Sequence, residues 1–148
     1  MSANAIKEAM LATAATCAIA ISVITSLWRS ASAEEVELAR VFTTAQATAG
    51  KAAFEKHCAA CHMRDLSGDA DAPQLAGTQF MSTWRTRSTK DLFQYMSTAM
   101  PPGSSPLSAD VYTSITAYVL QSNGAAAGPE PLTTTSAVPI GSVAATKP

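Results

Sequence analysis

Five consecutive residues, Cys58-Ala59-Ala60-Cys61-His62, constrain this chain more than any other feature. They place two thiols and an imidazole within one helical turn, and the only other cysteine is Cys17. Three chemistries use part of such a cluster: a dithiol redox centre, a zinc site, or a thioether-linked haem. A thioredoxin-like pair sits at a helix N-terminus after a strand. Here the cysteines follow "TAQATAGKAAFEKH", a run of helix formers, and no alternating strand pattern occurs anywhere. A closed zinc site needs four protein ligands. His57 would have to join the cluster, yet adjacent Cys61 and His62 cannot easily share one tetrahedron with it, and there is no second cluster. The haem reading uses every residue, because C-x-x-C-H is the attachment signature of c-type haem. Cys58 and Cys61 would form the two thioethers, and His62 would bind the iron from the proximal side.

The rest of the chain is consistent with export, which c-type haem attachment in bacteria requires. Residues 9 to 28, "AMLATAATCAIAISVITSLW", carry no charge, and "SASA" follows before Glu34. Ala31 and Ala33 fit the A-x-A cleavage pattern, so residues 1–33 read as a signal peptide. The apolar run is nearly long enough to span a bilayer, which leaves an uncleaved N-terminal anchor as the alternative. Cys17 reads as a small apolar residue of this segment. Cleavage would leave eight basic and ten acidic residues, a net charge of -2 against -1 for the whole chain. Neither value provides the basic field that nucleic acid binding needs.

Residues 34–45 read as an N-terminal arm, either loose or the lead-in to a helix, and residues 46–124 as one domain, about 80 residues long. A domain that small commonly needs a staple such as a buried cofactor. A first helix carries Ala47, Gly50, Phe54 and His57/Cys58 along one face. Gly50 costs it about 1 kcal/mol relative to Ala, which suggests close approach of another backbone or ring. Asp65 to Gln79 is a long Gly/Asp/Pro-rich loop of the kind that wraps over something. "QFMSTWRTR" fits a short helix. "STKDLFQYMSTAM" opens with Ser88 as N-cap and Asp91 in the capping-box position, with Leu92, Tyr95/Met96 and Ala99 as its apolar face. Pro101-Pro102-Gly103 ends it. The last helix is capped by Ser108, buries Val111, Ile115, Tyr118 and Val119, and stops at Asn123-Gly124. Residues 125–148, rich in Ala, Pro and Thr, read as a disordered tail.

Methionine opposite histidine closes the haem iron and raises its potential. Met63 is too close to His62 to cross the ring plane, and Met81 suits a core. Met100, where the helix gives way to prolines, lies on a loop able to reach the distal side and is the expected ligand. Met96, held on the helix one turn earlier, is expected to pack beside the ring and is the second candidate.

In order, "CAACH", "APQLAG", "DLFQYMSTAMPPG" and "YTSITAYVLQSNG" resemble a class I mono-haem cytochrome c over about Ala47 to Gly124. "FMSTWRTRSTKDLFQYMSTAMPPG" is similar to cytochrome domains and subunits that serve quinoprotein alcohol dehydrogenases. The resemblance implies an all-α fold, three to five helices wrapped around one covalently bound haem c. It implies that the Pro73 carbonyl accepts a hydrogen bond from His62 and that Leu75 lines the proximal side. Gly50 and Phe54 would cross Tyr118, while Trp84 and Arg85 or Arg87 would neighbour the haem propionates.

The functional expectation is a periplasmic one-electron carrier rather than an enzyme, with no catalytic residues. It would take electrons from a periplasmic dehydrogenase and pass them to an oxidase or another cytochrome. The alternative is an obligate haem subunit of a multi-subunit dehydrogenase. Membrane contact is expected only if residues 9–28 remain as an anchor.

Overall fold

The computed structural model describes residues 38–144. The expected signal peptide at residues 1–33, Cys17 and the first part of the expected arm lie outside the described residues. Among those described, the architecture is all-helical, with no strand beyond an isolated bridge between Ser88 and Pro139. No helix in this set is long and apolar enough to cross a membrane.

Helix α1 spans Thr44–His57 and starts where the Thr43 side chain accepts the Gln46 N–H. Its buried residues are Ala47, Gly50 and Phe54, the stripe expected from periodicity. Cys58 closes α1 and opens the single turn α2, Ala59–His62. Helix α3 (Thr78–Trp84) is short, as expected, and buries Phe80, Met81 and Trp84. Helix α4 (Thr89–Ala99) carries the full capping box: Ser88 Oγ accepts from Asp91 N–H, and the Asp91 carboxylate accepts from Ser88 N–H. Those hydrogen bonds to Ser88 hold the Asp91 carboxyl below its usual range. Helix α5 (Ala109–Ser122) is capped by Ser108 and is buried along most of its length.

The central packing is α1 across α5. A Cβ on Gly50 would stand 1.8 Å from the Ser114 carbonyl oxygen and 3.0 Å from Tyr118 Cβ. One turn on, the Phe54 and Tyr118 rings meet at 5.4 Å with a tilt of 52°. The two backbones therefore approach closely because Gly50 has no side chain, and this offsets its helix-propensity cost.

Three expectations need correction. Residues 38–43 are no loose arm. Phe42 is fully buried, its carbonyl accepts the Gly128 N–H at 2.7 Å, and Ala39 N–H reaches the Ser142 carbonyl at 2.9 Å. Nor is the C-terminal segment a disordered tail, at least as far as residue 144. It buries Leu132, Ile140 and Val143, ends in a 3-10 turn at Ile140–Ser142, and exchanges two hydrogen bonds with the Gln46 amide through Leu132. Its apolar residues are spaced irregularly because each fills a separate gap between helices, so neither period 2 nor period 3.6 reveals them. Finally, Tyr95 and Ala99 do not belong to the buried face of α4. Tyr95 is 48 % exposed and Ala99 is exposed, while Leu92 and Met96 are buried. Tyr95 instead lays its ring edge on Trp84 at 5.6 Å.

Candidate haem site

A cavity of about 300 Å³ opens between the helices, large enough for a small cofactor site. It is built from the Cys58–His62 turn, the loop after it, α3, α4 and the proline loop that follows, and α5. Cys58, Cys61, His62, Pro73, Leu75, Trp84, Met96 and Met100 all line it, so the residues expected from sequence converge on one wall-to-wall space. Met81 and Met63 do not line it. Arg87 does and Arg85 does not, which separates the two candidate arginines. His57 also borders the cavity.

The Cys-x-x-Cys-His geometry follows from one backbone turn. Cys58 carbonyl accepts from both Cys61 N–H (3.1 Å) and His62 N–H (2.9 Å), bringing the two thiols and the imidazole to the same side. His62 is buried, and its Nδ1 lies 2.9 Å from the Pro73 carbonyl oxygen. A carbonyl can only accept, so Nδ1 carries the proton and Nε2 keeps its lone pair. That is the orientation a metal-binding histidine needs.

The loop that delivers Pro73 is internally braced. Gly68 N–H donates to His62 carbonyl at 3.1 Å, Leu75 N–H to Leu66 carbonyl at 2.9 Å, and Asp69 Oδ1 accepts from Asp71 and Ala72 N–H. Asn123, at the end of α5, ties the same loop to the helix pair. Its side chain donates to the Leu75 carbonyl and accepts from Gly77 N–H, both at 2.9 Å. Sequence reasoning took Asn123 only as a helix stop.

Met100, which also lines the cavity, caps α4 with extended backbone just before Pro101. Tyr112 Oη donates to the Met100 carbonyl at 2.5 Å and accepts from Leu107 N–H at 3.2 Å, pinning both ends of the proline loop. Tyr112 is buried and was not singled out from sequence, although it shares an i, i+3, i+7 face with Ile115 and Val119. All three line the cavity.

The half-buried Cys58 thiol does not suit the attacking role in a redox dithiol. Burial, and then the nearby Cys61 charge, push the Cys58 thiol up to about 11. A thiol this weakly acidic is protonated near neutral pH and is a poor attacking group. Zinc fares no better: among the described residues no three His, Cys, Asp or Glu side chains converge as a metal site would require. The donor set fits haem instead. Two thiols border an apolar space that also holds one oriented imidazole and two thioethers.

Comparison with known families agrees. Residues 45–119, half of the chain, match the family described as cytochrome C oxidase, cbb3-type, subunit III. The chain belongs to that family, whose domain is a class I c-type cytochrome, and it is a haem-based electron carrier. No curated protein and no solved structure matches it.

Proposed function

We propose that this chain is a periplasmic mono-haem cytochrome c with His62 and Met100 as axial ligands, carrying single electrons from a dehydrogenase toward an oxidase. When bound, the haem supplies the ferrous/ferric couple. The chain's own residues do the rest. Cys58 and Cys61 tether the group through thioethers, and His62 offers Nε2 while Pro73 fixes its ring. Met100, at the head of the proline loop, would supply sulfur, and Met96, one turn earlier, also lines the cavity. Leu75, Phe80, Ile115 and Val119 keep the pocket apolar, which favours the less charged ferrous state. His62 and Met100, each held by a backbone hydrogen bond, would bind the iron with little rearrangement of the chain.

The observation that carries this reading is the His62 Nδ1–Pro73 carbonyl hydrogen bond on the wall of a cavity that Cys58, Cys61 and Met100 also line. An export segment at residues 1–33 supports the periplasmic location. The family's description as an oxidase subunit supports an oxidase on the acceptor side. A quinoprotein-type dehydrogenase as donor rests on the wording of residues 80–103. Met100→Ala decides the ligand. The far-red methionine–iron charge-transfer band should vanish and carbon monoxide should bind the reduced protein promptly. Persistence of the band would move the ligand to Met96.

A further inference from the structure

The family match stops at residue 119, yet the chain from 125 to 144 is packed against the domain, first along Phe42 and Gln46 and then, through residues 136–141, at a second place, a corner between two helices. That corner is Arg85–Thr89, the connection between α3 and α4. Gly141 N–H donates to the Arg85 carbonyl and Ile140 N–H to the Arg87 carbonyl, both at 2.9 Å. Thr89 completes the clasp. Its N–H donates to the Val138 carbonyl at 2.9 Å, its hydroxyl donates to the Ser136 carbonyl at 2.6 Å, and that hydroxyl accepts from Val138 N–H at 3.2 Å. Thr89 is buried, so these partners replace water that cannot reach it. Ile140 and Val143 are fully buried and anchor the segment beside the corner. A Cβ on Gly141 would come within 2.9 Å of the Arg85 carbonyl oxygen, so the approach is close as well as hydrogen-bonded.

The corner carries two cavity residues. Trp84 ends α3, and the Arg87 guanidinium lies 5.0 Å from the centre of its ring. Among the described residues lining the cavity, Arg87 is the only Asp, Glu, Lys or Arg. Its backbone is held from both directions, by Trp84 carbonyl on its N–H and by Ile140 on its carbonyl. A fixed cation beside a redox group favours the reduced, less positive state.

We propose that residues 125–144 form a strap whose function is to hold the Arg85–Thr89 corner, so that Arg87 keeps its charge at the cavity wall and raises the reduction potential of the bound group. The proposal rests on the haem reading above. Thr89 and Ile140 are positioning residues in it, acting through Arg87.

The test uses the full-length holo protein and four variants: Thr89→Val, Thr89→Ser, Arg87→Gln, and Thr89→Val combined with Arg87→Gln. Trypsin reads the clasp directly, because cleavage after Arg85 or Arg87 needs carbonyls that the strap now occupies. Thr89→Val removes the hydroxyl at nearly constant volume and should speed cleavage there roughly tenfold through more frequent local opening. Thr89→Ser keeps the hydroxyl and should behave as the parent. Spectroelectrochemistry reads the consequence. Arg87→Gln should lower the midpoint potential. Thr89→Val should lower it too, but should leave it unmoved when Arg87 is already Gln. Faster cleavage with an unchanged midpoint would reduce the strap to a fold stabiliser and overturn the proposal. An equal drop in both arginine backgrounds would also overturn it, as would unchanged cleavage. If Thr89→Val does not accumulate, Ile140→Val trims the buried anchor more gently and takes its place with the same expected signs. A chain isolated without thioether-bound haem in its pyridine haemochrome spectrum would overturn the haem reading itself. The trypsin pattern would still judge the clasp separately.

Discussion

Tyr112 shows how one hydroxyl off the sequence motif can hold the loop that carries the proposed ligand Met100. It bridges the Met100 carbonyl and the Leu107 N–H, the two ends of a loop whose other internal backbone bond, Ser104 N–H to Pro101 carbonyl, is long at 3.4 Å. Tyr112→Phe keeps the ring in its buried place and deletes both hydrogen bonds. Leaving the two backbone groups unpaired costs about 1–3 kcal/mol. The loss should fall on Met100 retention more than on the global fold. The variant should show its charge-transfer band disappearing at lower pH than the parent, and faster carbon monoxide binding when reduced, at nearly unchanged helical circular dichroism. At this scale the convergence of Cys58, Cys61 and His62 on one cavity was legible because the three lie within five consecutive residues. The Pro73 contact was legible only through resemblance. Tyr112 and Asn123 were not, because each acts on backbone groups of a distant loop, and nothing local marks such a partner.

Helix order and caps were largely readable, since Ser88, Asp91 and Ser108 act within one turn of where they stand. Gly50 was readable as an anomaly, a costly residue in a good helix, but its explanation needed the α5 backbone. That explanation makes a sharp prediction. Gly50→Ala would set a methyl 1.8 Å from the Ser114 carbonyl oxygen, and backbone cannot swing aside as a side chain can. The helices must separate, at a cost of about 3 kcal/mol or more that overwhelms alanine's better propensity. Thermal unfolding of the holo protein should show the loss. Adding Ser114→Gly should not restore it, since the obstructing atom is main chain. The C-terminal strap was the largest illegible element. Leu132, Val138, Ile140 and Val143 sit among Pro, Thr and Ser at irregular spacing, so composition pointed to disorder while the buried partners lay elsewhere in the chain.

Across the whole molecule, charge is sparse and evenly signed. The formal net charge is -1, and the ion pair among the described residues, Lys51–Glu55 at 3.9 Å, is exposed and confined to one helix. Among the described residues lining the cavity, those with exposed or half-exposed surface include the uncharged Gln74, Gln79, Thr83, Pro101, Pro102 and Tyr95, and the exposed Arg87 is the single Asp, Glu, Lys or Arg. Such a surface has little field with which to steer a partner from a distance. Encounter must then depend on contact area, at rates near the neutral range for proteins rather than the steered one. Electron self-exchange between oxidised and reduced copies tests this without requiring the natural partner. Raising ionic strength from about 0.01 M to about 0.15 M shortens the screening length from about 30 Å to about 8 Å. The self-exchange rate, read from NMR line widths of mixed samples, should change by less than about threefold over that interval. A tenfold change in either direction would reveal a charged docking face that the residues around this cavity do not supply.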